Sequence, residues 1–181
     1  MSSFSNPKSA AAGAAAAYIT ALLDLLGDRD PLTVLRATAD TLRDAIEGVP
    51  RDVLRRPEKP GKWSAVEVLQ HLADSELVWS WRMRLVVAED RPTLTGYDQD
   101  AWAARLGYRD LDPDDALQQF VLLRRLNLNL LDGLPPAGLA RVGVHNERGD
   151  ESLSHMMRLY AGHDLVHLRQ LERVLAAATG S

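Results

Sequence analysis

Two segments of this chain start and stop in the same way, and that repetition constrains the fold more than any other feature. Asp30-Pro31 opens one and Gly48-Val49-Pro50 closes it; Asp112-Pro113 opens the other and Gly133-Leu134-Pro135 closes it. An aspartate ahead of a helix accepts hydrogen bonds from the free N–H groups of the first turn. Proline suits the first helical position, where an N–H would go unpaired anyway, and glycine with a following proline ends the run. Helices are therefore predicted over Pro31 to Glu47 and Pro113 to Leu131. Each is followed by a loop and then a long histidine-bearing helix. The first long helix, Ser64 to Ala88, opens with the capping box Ser64-x-x-Glu67; the second, Ser154 to Ala178, takes Ser152 or Ser154 as its cap. This recurrence points to a duplicated unit and to an all-α antiparallel bundle of four main helices.

Apolar residues at helical spacing supply the inner faces. They are Val34, Leu35, Leu42, Ala45 and Ile46 in the first helix, and Val68, Leu69, Leu72, Trp79, Met83 and Val86 in the second. The last helix contributes Leu153, Met156, Tyr160, Leu168, Leu171 and Val174. Residues 114 to 131 are apolar around most of the helix, so burial on several sides is expected there, with Asn127 serving a neighbouring backbone group. Residues 51 to 63, with Pro57, Pro60 and Gly61, read as an irregular connector. Between Asp90 and Asp112, Pro92, Gly96 and Gly107 break the chain around one short helix near Gln99 to Arg105, capped by Asp98. Tyr97, Trp102 and Tyr108 make that segment either a lid over one end of the bundle or a packed loop. Val142 to Asp150 reads as a short hairpin or an extended loop. Ahead of the bundle, an alanine run from Ala10 to Ala17 continues into Tyr18 to Leu26. Residues 1–27 are thus expected to form a helical arm, frayed over 1 to 12, and residues 28–181 the bundle domain.

The chain has 181 residues and no cysteine, which excludes a disulfide framework, a thiolate metal site and a cysteine nucleophile together. Any metal must be held by nitrogen and oxygen. Its 21 Lys and Arg residues are scattered and outnumbered by 25 Asp and Glu, so no nucleic-acid face is expected. No stretch approaches the roughly 20 apolar residues that span a bilayer, and the N-terminus lacks the charged start and cleavage site of a secretory signal. A soluble, cytoplasmic protein acting on a small molecule is the expectation.

Polar residues that intrude on apolar faces are the candidates for chemistry. His163 and His167, one turn apart on the side of the last helix's apolar face, can turn two nitrogens toward one metal ion or can be packed, hydrogen-bonded core histidines. His71 lies at the flank of the Ser64 to Ala88 helix, and Glu76 projects from within its apolar face. A buried carboxylate needs a partner. Arg36, Arg124 and Arg125 are the candidate counter-ions; the alternative is that Glu76, or Asp164 on the last helix, approaches the histidines as a catalytic or orienting group. His145 and His155 are expected to be solvated.

Three blocks resemble the DinB-like, or YfiT-like, superfamily of four-helix-bundle metalloproteins: Pro60-Gly61-Lys62-Trp63-Ser64 running into Gln70-His71-Leu72-Ala73-Asp74-Ser75-Glu76; Tyr97-Asp98-Gln99-Asp100-Ala101-Trp102; and Ala161-Gly162-His163-Asp164-Leu165-Val166-His167-Leu168-Arg169-Gln170. The resemblance spans Asp28 to Leu171. It implies a divalent metal bound by His71, His163 and His167, with zinc or nickel ahead of iron or manganese, and a homodimer. Some similar proteins are thiol-dependent transferases in stress or detoxification chemistry, in which a low-molecular-weight thiol such as bacillithiol or mycothiol attacks an electrophile. The implied function is therefore a metal-dependent thiol S-transferase, with a metal-activated hydrolase or a non-catalytic metal- or small-molecule-binding bundle as alternatives.

Overall fold

The computed structural model describes residues 12–180, with side chains from residue 16 onward. The frayed tail expected over residues 1 to 12 lies, but for Ala12, outside them. Helix α1 (Ala12–Leu26) precedes α2 (Pro31–Ile46), the single turn α3 (Arg51–Leu54) and the long α4 (Ala65–Ala88). A strand β1 (Thr93–Leu94), helix α5 (Gln99–Arg105) and a 3-10 turn (Tyr108–Asp110) lead to α6 (Pro113–Asp132). The single turn α7 (Pro136–Leu139), strands β2 (Val142–His145) and β3 (Gly149–Ser152), and the long α8 (Leu153–Thr179) complete the order. Helices α2, α4, α6 and α8 form a four-helix bundle.

The punctuation works locally as the residues dictate. Asp30 accepts from the Thr33 N–H, Asp98 from Ala101 and Asp112 from Asp114, while Ser64 and Glu67 cap each other's backbone groups reciprocally. Ser152 caps α8. The repeat extends into the connectors: α3 and α7 are both four-residue turns placed between a short bundle helix and a long one. Arg51–Leu54 is helical where the sequence suggested irregular chain, because the two prolines and the glycine fall after Leu54, which is itself buried.

Apolar packing is concentrated at the two ends of the bundle. Leu42, Ile46, Leu54, Leu69, Leu72, Phe120, Leu171 and Val174 fill one end; Met83, Val86, Leu94, Leu131, Leu153 and Met156 fill the other. Each fully buried Leu is worth about 1.5–3 kcal/mol of transfer free energy. Two faces differ from expectation. Ala65 to Glu76 is buried around its whole circumference, since α6, α8 and the 3-10 turn surround that half of α4. Helix α6 instead buries a single stripe, Ala116, Phe120, Arg124, Asn127 and Leu131, because α4 and α2 cover one side of it, and Leu122 and Leu126 stay exposed. The hairpin β2–β3 forms as read, and β1 adds to it in parallel, with Thr93 opposite Val144.

The arm α1 lies along α8, burying Leu22 against Leu159 and Val166. Gly162 makes this approach possible: a Cβ there would run into the backbone carbonyl of Leu22. Gly162→Ala is accordingly expected to push α1 off α8 while leaving the four bundle helices in place. Amide hydrogen exchange would show it as lost protection confined to residues 16–26.

Candidate metal centre

His71 on α4 meets His163 and His167 on α8, and one ring nitrogen from each lies within 4.8 Å of the others. His71 Nε2 is 3.2 Å from His163 Nε2, and the ring centroids are 4.4 to 5.2 Å apart. Two nitrogens at 2.0–2.1 Å from a tetrahedral ion are about 3.3 Å apart, so this spacing suits a shared ion as well as a hydrogen bond. His71 and His167 are buried and His163 is partly so.

The pattern of satisfied and orphaned nitrogens tests whether the trio fits a metal. His167 Nδ1 is 2.8 Å from the Gln170 side-chain oxygen, which can only accept, so the proton sits on Nδ1 and Nε2 carries a lone pair. That Nε2 is buried with no hydrogen-bond partner, as are Nδ1 of His71 and of His163. Buried polar atoms are rarely left this way in a packed core. Burial pushes the pKa of His163 down to about 3, with Arg124 adding to the effect. Burial likewise holds His71 and His167 well below the ordinary imidazole value; His167 and His163 lower His71 further, and His163 lowers His167 while its Gln170 hydrogen bond opposes the shift. Neutral imidazoles are what a divalent cation requires, and the Nε2 lone pair of His167 is unshared.

Neither candidate carboxylate reaches a ring nitrogen. Both turn to Arg124, one of the three arginines offered as counter-ions, and the reason is a charge demand stronger than any the histidines make. The Arg124 guanidinium donates to Glu76 Oε1 and Oε2 at 3.1 and 2.9 Å, to Asp164 Oδ2 and Oδ1 at 2.7 and 3.2 Å, and to the Leu35 carbonyl at 2.8 Å. Thr38 also donates to Asp164, and Tyr160 and Asn127 donate to Glu76. Asn127 thus serves side chains, including Ser80, and not the backbone. The link from this cluster to the histidines is the Tyr160 ring, stacked against His163 at 5.9 Å. His145 is buried in β2, correcting the expectation of a solvated loop residue; its Nδ1 accepts from the Glu147 N–H. Neither it nor the half-buried His155 joins the three.

A cleft of about 80 Å³ opens beside the trio, lined by His163 and Ser75, by Tyr97 and Gln99, and by Tyr18 and Leu22 of α1. Ser75 Oγ is 2.8 Å from the Tyr97 hydroxyl and 3.5 Å from His71 Nε2, so Tyr97, from the segment after α4, packs against the middle of α4 beside the trio. In the sequence Gln170 and Ser75 stand within the motif blocks without an evident role, and Tyr97 stands out only as one of three aromatic residues of a lid or packed loop. The i, i+3 spacing of His167 and Gln170 was the available signal for the first; nothing local in sequence pairs Ser75 with Tyr97.

A model of the DinB superfamily matches residues 35–171. A protein of Bacillus mycoides named "Putative metal-dependent hydrolase" is 32% identical over 126 residues, 70% of this chain and 72% of that one. One of Oceanobacillus iheyensis with the same description is 28% identical over 130 residues, 72% of this chain and 75% of its own. The solved structure of YfiT from Bacillus subtilis, described as "a probable metal-dependent hydrolase with an unusual four-helix bundle topology", superposes with a TM-score of 0.72 at 26% identity, covering 79% of this chain and 84% of that one.

Two outcomes follow from the buried charges. Arg124→Ala leaves Glu76 and Asp164 buried without their counter-ion and is expected to cost about 3–5 kcal/mol in urea denaturation. The second concerns acid. Because the folded-state pKa of His163 is about 3 against about 6.5 unfolded, the unfolded chain binds more protons below 6.5. Stability of the metal-free protein is therefore fully present above about pH 6.5 and falls as pH drops from there toward 3. Urea midpoints measured at about pH 7.5 and about pH 5 should show that loss, and a smaller one in His163→Phe.

Proposed function

The chain belongs to the DinB superfamily, and from that premise we propose that it is a metal-dependent hydrolase whose ion is held by His71, His163 and His167. The observation that carries the reading is the convergence of three neutral imidazoles, with Nε2 of His167 unpartnered and His163 at the wall of a cleft. A divalent ion bound there supplies Lewis acidity and lowers the pKa of a coordinated nucleophile. The rest is work for the protein. Gln170 holds the His167 tautomer, Tyr160 and Trp63 restrict the His163 and His71 rings, and the Tyr97 hydroxyl, 2.8 Å from Ser75, offers a proton-bearing group at the cleft wall. Three nitrogen ligands leave a coordination position open, the arrangement of reactive sites, and imidazole donors suit zinc or nickel.

One feature favours thiol S-transfer as a second reading. Among the described residues no carboxylate is grouped with the histidines, so a metal-bound water, whose pKa falls only to about 7, would have no carboxylate base beside it. A thiol, which ionises near 8.5 when free, would be fully deprotonated on the ion and needs no such base. Lacking cysteine, the chain would draw that thiol from solution.

Protein purified without a histidine tag is expected to carry about one divalent ion per chain, and His163→Ala far less. Gln170→Leu is expected to weaken metal affinity by about 10–100-fold. Turnover of activated esters that stops on chelation supports hydrolysis; consumption of a thiol with an alkylating electrophile, without ester turnover, selects the transferase. Equal metal content in wild type and His163→Ala, or none in either after reconstitution, overturns both.

A further inference from the structure

The chain buries two arginines deeply, and they are treated very differently. Arg124 has two carboxylates and a carbonyl. Arg82, on α4, is only 8% exposed, yet among the described residues it forms no ion pair. One guanidinium nitrogen donates to the Thr95 carbonyl at 2.5 Å, and its Nε is buried with no partner at all. Confining a cation in this way is costly unless an anion or a full set of hydrogen bonds compensates. Its surroundings add to the cost: Arg148 lines the same cleft, and both oxygens of Glu151, a buried carboxylate whose charge is felt at Arg82, are taken by Arg148 at 2.5 and 2.9 Å. Glu147 stands exposed beside Gly96 at the rim. Burial and the Arg148 charge lower the Arg82 pKa to about 10, still cationic at neutral pH.

Arg82 lines the cleft that reaches His163. His71, Ser75, Val78 and Arg82 follow one another on a single face of α4 at helical spacing. The rise from Ser75 to Arg82 is about 10 Å, and the arginine side chain leans back toward the helix N-terminus, shortening the span to a few carbon atoms. Ile19, Leu22, Val78 and Leu159 give the stretch between an apolar wall. We infer that the cleft binds a small substrate bearing a carboxylate, which supplies the counter-ion that the Arg82 guanidinium lacks among the described residues, while an apolar segment lies along Val78 and Leu159 and the reactive end faces His163. The orientation of the reactive end rests on the metal-dependent reading above; the carboxylate subsite does not, because Arg82 is not one of the three nitrogen donors and needs no ion to hold its charge.

The test uses metal-free protein at fixed ionic strength, with hexanoate and hexanamide as probes of equal shape. Calorimetric titration is expected to show hexanoate binding at least about tenfold more tightly than hexanamide, the scale of a charge-assisted pair over a neutral one. Arg82→Met is expected to abolish that preference, and Arg82→Lys to keep part of it, with metal uptake unchanged in both. Equal affinity for acid and amide in the wild type, or a preference that survives Arg82→Met, overturns the inference. If Arg82→Met does not fold, the wild-type pair and Arg82→Lys decide alone. Inorganic phosphate competing with hexanoate at similar affinity would overturn the assignment to carboxylates. Metal content is measured separately: an anion preference in protein that takes up no metal fails only the metal reading, and loss of the preference in metal-replete protein fails only this one.

Discussion

One guanidinium touches all four main helices. Arg124 projects from α6 and binds Glu76 of α4, Asp164 of α8 and the Leu35 carbonyl of α2, while Thr38 of α2 completes the shell of Asp164. Apolar side chains slide over one another at modest cost, but a fork of N–H groups between two carboxylates accepts few arrangements. The cluster therefore sets how far α4 and α8 are shifted along each other. Glu76 is five residues beyond His71, and Asp164 is the residue after His163, so the register that satisfies Arg124 is also the register that brings the imidazoles together. A buried ion pair is weak evidence for net stability; its contribution here is geometric.

Tyr160 transmits that geometry. Its hydroxyl donates to Glu76, its ring lies 4.0 Å from Trp79 and stacks on His163, and Arg124 sits 5.0 Å over it. The apolar ends of the bundle and the charged layer between them thus have different tasks. The ends supply most of the driving force, and the layer supplies the alignment on which three converging nitrogens depend.

How much of this was legible in the sequence follows from the range of each interaction. Caps and stops act within a turn or two, so Asp30, Ser64, Glu67, Asp112 and Ser152 announced the helices almost to the residue. The His163 and His167 pair was legible for the same reason. His71 belonged to it only through resemblance, because a partner 92 residues away has no local signature. Glu76 plainly needed a counter-charge, but Arg36, Arg124 and Arg125 all stand on helices, and which one turns inward depends on how the helices pack. Periodicity also overstated α6: Leu122 and Leu126 look like core residues on a helical wheel, and nothing in their spacing says that only two neighbours cover that helix. His145 was misjudged because the turn beside it reads as polar, whereas pairing with β1 and β3 carries its strand into the interior.

The close passage of α1 over Gly162 separates two properties that many sites keep together. The three histidines and their alignment come from helices within residues 35–171, the region matched by the superfamily model, whereas Tyr18, Ile19 and Leu22, which wall one side of the cleft, come from a helix before it. On the proposed metal-dependent reading, reactivity and admission are thus written in different stretches of chain, and joined at a residue with no side chain. On that reading, relatives that keep the three histidines but carry another leading segment would share a reaction while differing in what they let in.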